Sequence, residues 1–182
     1  MYAFKDKKNQ LFNENMLEIH INQTKSTEEM YFATIDISNM FEHFHAIDNY
    51  GIKKLLIALA DVLYRETYSK VCVYHLRDKI FSVKTTLLDK NEVEIILEKL
   101  VKEIRKIRVD GFIPKPYIGY VYYDSSIIFN KYEIVRFSYI ATMLAHKNEQ
   151  EIYYLDGKMI EYYISKYDTA LETIKELELK DF

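Results

Sequence analysis

The sequence predicts an α+β fold in which helices flank a mostly antiparallel, five-stranded sheet in a ferredoxin-like arrangement. Two observations predict this class. Short runs rich in β-branched and aromatic residues alternate with longer segments whose apolar residues recur at helical spacing. Near the middle of the chain, two strand-like runs are separated by a short charged turn, which indicates a hairpin. The predicted order β-α-α-β-β-α-β-α-β favours helices packed on an open sheet.

The first third of the chain is expected to supply three helices and one strand. Apolar residues at helical spacing indicate an amphipathic lead-in helix over Asn9–Gln23. Tyr31–Ile37 is short, β-branched and aromatic, which is typical of a buried strand. A short helix over Met40–Ala46 and a longer one over Tyr50–Arg65 should follow.

The rest of the chain continues this alternation. Lys70–Leu76 and Ile80–Leu87 are expected to be the two strands of the hairpin. Asn91–Arg108 should be a helix, because its cations gather at the carboxyl end, where the helix dipole favours them. The remaining predicted elements are a strand over Lys115–Tyr123, a helix over Lys131–His146, a strand over Glu151–Leu155 and a helix over Met159–Leu179.

Domain organisation follows from these elements. Residues 1–30 form a lead-in segment, residues 31–156 form one domain, and residues 157–182 form a C-terminal helix or a linker to a following domain. A chain of 182 residues with an apolar share of 49% is large enough to bury one core.

Composition limits the function classes. The net charge of -3 provides no general attraction for nucleic acid, so no nucleic-acid partner is expected. No apolar run approaches the ~18 residues of a membrane span, and the N-terminus lacks a secretory signal, so no direct membrane contact is expected. The single cysteine, Cys72, cannot form an internal disulfide and is expected to be a small core residue in a reducing, cytoplasmic setting.

Two stretches of the chain resemble the GGDEF family of diguanylate cyclases. Phe32–Asn39, FATIDISN, is similar to the family's strand that ends in a metal-binding aspartate, here Asp36. Val73–Val83, VYHLRDKIFSV, is similar to the hairpin that carries the family motif. The resemblance runs from about Lys8 to Leu155 and implies a nucleotidyl-cyclase-like fold. In an intact member it would also imply conversion of GTP to cyclic di-GMP with divalent metal ions.

The motif positions, however, do not carry the family's chemistry. Arg77 and Asp78 stand where a glycine pair lets the backbone approach the nucleotide phosphates. Lys79 and Ile80 stand where the family has its two acids, and only Phe81, a packing residue, is retained. Two-metal nucleotidyl transfer needs acidic oxygens to hold the ions. We therefore expect no catalytic residues at these degenerate positions.

Asp36 retains the family's residue at the end of the strand. Two interpretations of Lys79 remain open: its ammonium group replaces the divalent ion and pairs with Asp36, or it points to water from the turn. No metal site is expected, and Asp36 is the one candidate ligand. No cofactor is expected either, so Mg²⁺ and GTP would enter only with residual nucleotide binding.

The family's other ligand-binding positions fall on residues of other types, and the two at the guanine positions cannot repeat its hydrogen bonds. The guanine-binding positions fall on Phe44 and Lys53. The positions that bind the triphosphate fall on His146 and Gln150, and those that bind the inhibitory product fall on Tyr68 and Val71.

Two polar clusters have a functional and a structural interpretation. His43 and His45, together with Asp48 and His75, are of zinc-binding type. Positions i and i+2 of a helix face different ways, so surface or packing histidines are expected instead. The basic run Lys99–Arg108 alternates with glutamates and is expected to be a solvated helix end rather than a nucleic-acid surface.

Three functions follow from the resemblance. The first is a non-catalytic GGDEF-like domain of bacterial cyclic di-GMP signalling, acting as a regulatory or dimerisation module. The second is a GTP- or nucleotide-binding domain that controls an adjacent EAL phosphodiesterase, and the third is a weakly active cyclase. The expected partners are a second copy of the chain or an EAL domain in the same parent chain, because residues 164–182 resemble the helix that joins these two domains. A plain C-terminal helix that packs back on the domain is the alternative.

Overall fold

The computed structural model describes residues 4–7, 9–25, 27–40, 49–67, 70–77, 79–128 and 130–167. Nearly all of the expected short helix Met40–Ala46, and the end of the expected C-terminal helix, lie outside these residues.

The described residues contain five helices and five strands in the predicted order. Their bounds are α1 Glu14–Gln23, β1 Met30–Ile37, α2 Asn49–Thr67, β2 Cys72–Arg77, β3 Ile80–Thr85, α3 Lys90–Ile104, β4 Pro116–Tyr123, α4 Glu133–Lys147, β5 Ile152–Leu155 and α5 157–167. None of the helices described is long and apolar enough to cross a membrane.

Helix α1 begins later than the sequence predicts. The Asn13 side chain accepts a hydrogen bond from the backbone N–H of Met16 and so caps the helix. Upstream, the carbonyl of Phe12 accepts a hydrogen bond of 2.8 Å from the N–H of His75 in β2. The expected helical start at Asn9 is therefore wrong, because residues before Asn13 lie along the edge of β2 and cover its unpaired backbone groups.

The five strands form one sheet in the order β2-β3-β1-β4-β5. The central strand β1 is antiparallel to both β3 and β4, and only β5 runs parallel to its neighbour β4. This arrangement confirms the predicted α+β, mostly antiparallel fold.

Both faces of the sheet are buried. Along β1, Ala33 and Ile35 point into a first core formed with α2 and α3. Met30 and Phe32 point into a second core formed with α1, α4 and α5. Successive strand residues face opposite sides, so a strand buried on both faces has an uninterrupted apolar run instead of an alternating pattern. Cys72 is half-buried against the second core.

Helix α4 lies directly against the sheet at Gly119. The N–H of Gly119 donates to Thr142 Oγ1 at 3.1 Å, and the Thr142 hydroxyl donates to the carbonyl of Ser138 at 2.8 Å. One turn earlier, the hydroxyls of Ser138 and Thr34 are 2.7 Å apart. These polar contacts satisfy buried groups at a point where larger side chains would hold the helix away.

Helix α1 is tied to the second face by a buried polar contact. Leu17 and Ile21 are buried beneath it, and Tyr74 is completely buried. Burial raises the pKa of Tyr74, and its hydroxyl lies 2.7 Å from His20 Nδ1, within hydrogen-bond distance. Burial, and secondarily the charge of Lys84, lower the pKa of His20 and so favour its neutral imidazole.

Candidate functional site

The candidate site lies where the central strand β1 ends beside the β2–β3 hairpin. Asp36, near the end of β1, is opposite Ile80 in β3 and Tyr117 in β4. The N–H of Ile37 donates a hydrogen bond of 3.1 Å to the carbonyl of Lys79, the residue directly before β3. This bond fixes the backbone of the turn against the end of β1 and thereby places Lys79 beside Asp36.

The side chains of Lys79 and Asp36 form an ion pair. Lys79 Nζ is 3.0 Å from Asp36 Oδ1, and the two side chains are 22% and 17% exposed. Asp36 Oδ1 accepts no well-directed hydrogen bond from the described residues, so the contact is mainly electrostatic. The structure thus contains the pair that the first interpretation of Lys79 predicts, and the alternative that this side chain merely points to water is wrong.

The two residues that follow Lys79 are part of the packing. Ile80 is 7% exposed and points to the same face of the sheet as Asp36. Phe81 points to the opposite face, is completely buried in the first core, and stacks on His75 with a ring-centroid distance of 4.6 Å. The packing role expected of Phe81 is confirmed.

The side chains at this point do not fit a divalent metal ion. Mg²⁺ prefers several oxygen ligands in octahedral geometry. The described residues offer the carboxylate of Asp36, which already contacts an ammonium group, beside the apolar Ile80. Across the described ranges, no three His, Cys, Asp or Glu side chains are grouped as a metal site requires. His43, His45 and Asp48 lie outside these ranges.

The remaining motif positions and the triphosphate positions lie only partly near the Asp36–Lys79 pair. Arg77 is exposed at the end of β2, and Asp78 lies outside the described residues. His146 is exposed at the end of α4, where its ring lies 4.7 Å from that of Tyr117, the strand partner of Asp36. Gln150 is also exposed. An imidazole and an amide therefore occupy the end of the sheet where the resemblance implies two cations.

The guanine and inhibitory positions show no assembled site among the described residues. Lys53 is exposed on α2, and its expected companion Phe44 is outside the described part of the chain. Val71 is half-buried against the first core, and Tyr68 is likewise not described.

The basic run at the end of α3 is balanced by acidic side chains. Lys99 Nζ lies 2.7 Å from Glu66 Oε2, and Lys106 Nζ lies 2.5 Å from Glu103 Oε1. Arg105 forms an ion pair with Glu151, the residue directly before β5. These pairs agree with a solvated helix end.

Sequence reasoning missed a cleft of about 410 Å³ on the α4 side of the hairpin. Its walls include Leu76, Arg77 and Ile80 from the hairpin, Arg136 and Tyr139 from α4, and Tyr132, the residue directly before α4. The spacing of these last three residues marks one side of a helix, which is a signal in the sequence. Nothing in the sequence shows that this side faces the hairpin, because the two segments are far apart in the chain.

Comparisons with known proteins identify the fold. No model of a known protein family matches the sequence, and no curated protein matches it either. Solved structures do match. The GGDEF domain of TpbB (YfiN) from Pseudomonas aeruginosa is 14% identical, with a TM-score of 0.77 over 89% of this chain and 99% of that one.

Two further structures agree. The GGDEF domain of DgcB from Caulobacter crescentus, in complex with c-di-GMP, is 11% identical, with a TM-score of 0.76 over 85% of this chain and 96% of that one. A diguanylate cyclase/phosphodiesterase from Caldicellulosiruptor saccharolyticus is 16% identical, with a TM-score of 0.67 over 84% and 94% of the respective chains. At these identities the matches show the fold, and the chain has the fold of a GGDEF domain.

Proposed function

We propose that this chain, which has the fold of a GGDEF domain, is a catalytically inactive member of bacterial cyclic di-GMP signalling and acts as a regulatory or dimerisation module. The ion pair between Asp36 and Lys79, with its 3.0 Å separation, is the observation that supports the proposal. It joins the retained acid to a cation at the position where the family has its first motif acid.

The chemistry of nucleotidyl transfer explains why this pair matters. Divalent ions neutralise the charge that develops on the phosphate and orient the attacking and leaving oxygens, and they need acidic oxygens to hold them. An ammonium group supplies one positive charge and three N–H donors, but it cannot coordinate the attacking and leaving oxygens as a pair of divalent ions does. Ile80 adds an apolar surface where the family has its second acid.

The proposed role in cyclic di-GMP signalling is based on the structurally similar proteins. DgcB is solved with c-di-GMP, and another neighbour is described as a diguanylate cyclase/phosphodiesterase. By analogy, the partners proposed here are a second copy of this chain or an EAL phosphodiesterase domain in the same parent chain, in the cytoplasm. Mg²⁺ and GTP have no required role in such a module.

A turnover assay tests the catalytic half of the proposal. The purified chain is incubated with GTP and either Mg²⁺ or Mn²⁺, with the diguanylate cyclase SiaD and its activator SiaC as the active control, and the nucleotides are separated by chromatography. We expect no cyclic di-GMP above a protein-free sample. Product that forms with this chain and disappears with Asp36→Ala would show a residual cyclase and overturn the proposal.

The partner is tested separately. Sedimentation velocity over a wide concentration range should show a dimer if the partner is a second copy. Reading the native gene past the codon for Phe182 tests the EAL alternative, because that alternative requires translation to continue into another domain. A strictly monomeric chain whose translation stops there would contradict both.

A further inference from the structure

Helix α2 carries an apolar stripe on the side that faces away from the sheet. Tyr50, Ile57 and Tyr64 recur every seven residues and are 66%, 41% and 46% exposed. Residues seven apart lie almost on one line along an α-helix. The opposite side of α2, which includes Leu59 and Leu63, is buried in the first core. The stripe is therefore a second apolar side of a helix whose first apolar side already packs on the domain.

The outward side of the neighbouring helix α3 has a different composition. Ile95 is 64% exposed there, but Glu98, Lys99 and Lys102, which follow it within two turns, are exposed charged residues. A single exposed apolar side chain is ordinary at a protein surface, whereas an aligned series of them is typical of an interaction surface.

Two opposite charges complete the stripe on α2. Lys53 and Asp61 are exposed and lie four residues before and four residues after Ile57. Together with Tyr50 and Tyr64, they fall within about 40° of Ile57 around the helix axis. The positions of these five side chains are thus symmetric about Ile57, with a cation on one side and an anion on the other.

The two tyrosine rings of the stripe are held by contacts within the chain. Lys54 Nζ lies 4.5 Å from the centre of the Tyr50 ring. The Tyr64 hydroxyl donates a hydrogen bond of 3.4 Å to the carbonyl of Gln10. Side chains that are already ordered lose less conformational entropy when a partner binds.

We propose that this stripe binds the same stripe of a second copy of the chain, with the two α2 helices antiparallel. A two-fold axis at Ile57 places Tyr50 against Tyr64 of the second copy and Lys53 against Asp61 of the second copy, and each pair occurs twice. Parallel helices would instead place like charges opposite each other and align the two helix dipoles. The charges of the stripe therefore favour an antiparallel self-pairing.

This inference rests on the dimerisation role proposed above and names the surface that carries it. Five side chains form a smaller contact than the ~1,200–2,000 Å² that stable complexes bury. We therefore expect a weak dimer that dissociates on dilution.

Sedimentation velocity of the full chain at a series of concentrations tests the surface. Ile57→Asp should weaken dimerisation about tenfold or more, because it brings two carboxylates together at the two-fold axis. The matched control is Ile95→Asp, which makes the same change at an exposed isoleucine of α3 and should leave dimerisation unchanged. Circular dichroism of each variant checks that the fold is retained.

Charge reversal tests the pairing of Lys53 with Asp61. Asp61→Lys should weaken the dimer, because each new lysine then meets Lys53 of the second copy. The double variant Lys53→Asp/Asp61→Lys should restore the dimer, because opposite charges face each other again. A stripe that merely contacts water predicts no such rescue.

Cysteine cross-linking tests the antiparallel orientation, with Cys72→Ser in every chain so that only the introduced thiols react. A mixture of Tyr50→Cys and Tyr64→Cys chains should form a disulfide-linked dimer under mild oxidation. Tyr50→Cys alone should not, because the two copies of position 50 would be about 20 Å apart in the antiparallel pair. Cross-linking of Tyr50→Cys with itself would show parallel helices and overturn the proposed pairing.

The remaining outcomes separate this inference from the proposed function. A dimer that Ile57→Asp and Ile95→Asp affect equally, or that the double charge variant does not restore, would reject the α2 surface and leave the dimerisation role intact. A monomer at every concentration would reject the α2 surface and leave an EAL domain as the proposed partner. Production of cyclic di-GMP would overturn the catalytic half of the proposed function without affecting the α2 surface.

Discussion

At the scale of single residues, Asp36 and Lys79 show how a carboxylate can be satisfied in two different ways. A divalent ion gives it a partner with further coordination sites, whereas an ammonium group gives it a partner with a single positive charge and N–H donors. The Lys79 pair is mostly removed from water, with 22% and 17% of the two side chains exposed. The local charge is thus balanced within the chain itself.

Lys79→Met should destabilise the fold by about 1–2 kcal/mol, because it leaves the mostly buried charge of Asp36 without its cation. The double variant Asp36→Asn/Lys79→Met should recover part of this loss. Urea unfolding of the four proteins in the cycle measures the coupling between the two residues.

The control for this cycle is Lys90→Met. Lys90 pairs with Glu94 on the surface of α3, where the side chains are 46% and 41% exposed. Its loss should cost less than about 0.5 kcal/mol. If Lys79→Met costs no more than Lys90→Met, the Asp36–Lys79 pair contributes nothing specific.

At the scale of elements, the contact between α4 and β4 depends on one missing side chain. A Cβ at Gly119 would lie 2.0 Å from the backbone nitrogen of Thr142 and 2.6 Å from the carbonyl oxygen of Ser138. Backbone atoms of a helix cannot turn aside as a flexible side chain can. The helix is consequently seated at a distance that only glycine permits.

Gly119→Ala should lower the free energy of unfolding by about 3 kcal/mol or more, or prevent folding, because α4 has to move away from the sheet. Gly111→Ala is the matched control. Gly111 has a φ of +81° but open space around it, so alanine there adds backbone strain of only about 1 kcal/mol. Urea denaturation of both variants ranks them, and a larger loss in Gly111→Ala would contradict this account of the α4 contact.

At the scale of the whole molecule, the N-terminal helix contacts the sheet through an imidazole whose pKa the fold lowers. Burial lowers the pKa of His20 in the folded chain below its ordinary value of 6.5. As the pH falls below about 6.5, the unfolded chain therefore binds more protons than the folded chain, so the free energy of unfolding decreases.

His20→Gln should therefore lose less stability than the natural chain when the pH is lowered from about 7 to about 5. Lys84 contributes to the same effect, because its charge also lowers the pKa of His20. Urea unfolding at a series of pH values measures the slopes. Equal slopes in His20→Gln and the natural chain would refute the coupling.

Much of the fold could be predicted from the sequence, because periodicity and motif spacing are local signals. The strand that ends at Asp36 and the hairpin that carries Phe81 are both present in the described structure. The orientation of Lys79 could not be decided from the sequence, since a turn side chain can point to water or to a neighbouring strand. Only the register of β1 and β3 makes that choice.

The rest of the site depends on distant contacts that local patterns do not encode. Arg77 and Arg136 share a cleft only because α4 crosses the sheet beside the hairpin. The start of α1 was predicted too early for a related reason. A helical spacing of apolar residues does not reveal that Phe12 forms a backbone hydrogen bond to β2.

The bond from the Ile37 N–H to the Lys79 carbonyl has a consequence for how this domain can change over generations. It involves main-chain atoms alone, so the bend of the hairpin is inherited whatever side chain stands at position 79. A single codon can then exchange an acid for a lysine, or the reverse, while the scaffold around it persists. Loss of metal chemistry at this position is therefore a short mutational step, whereas its recovery would also require changes at Arg77, Asp78 and Ile80.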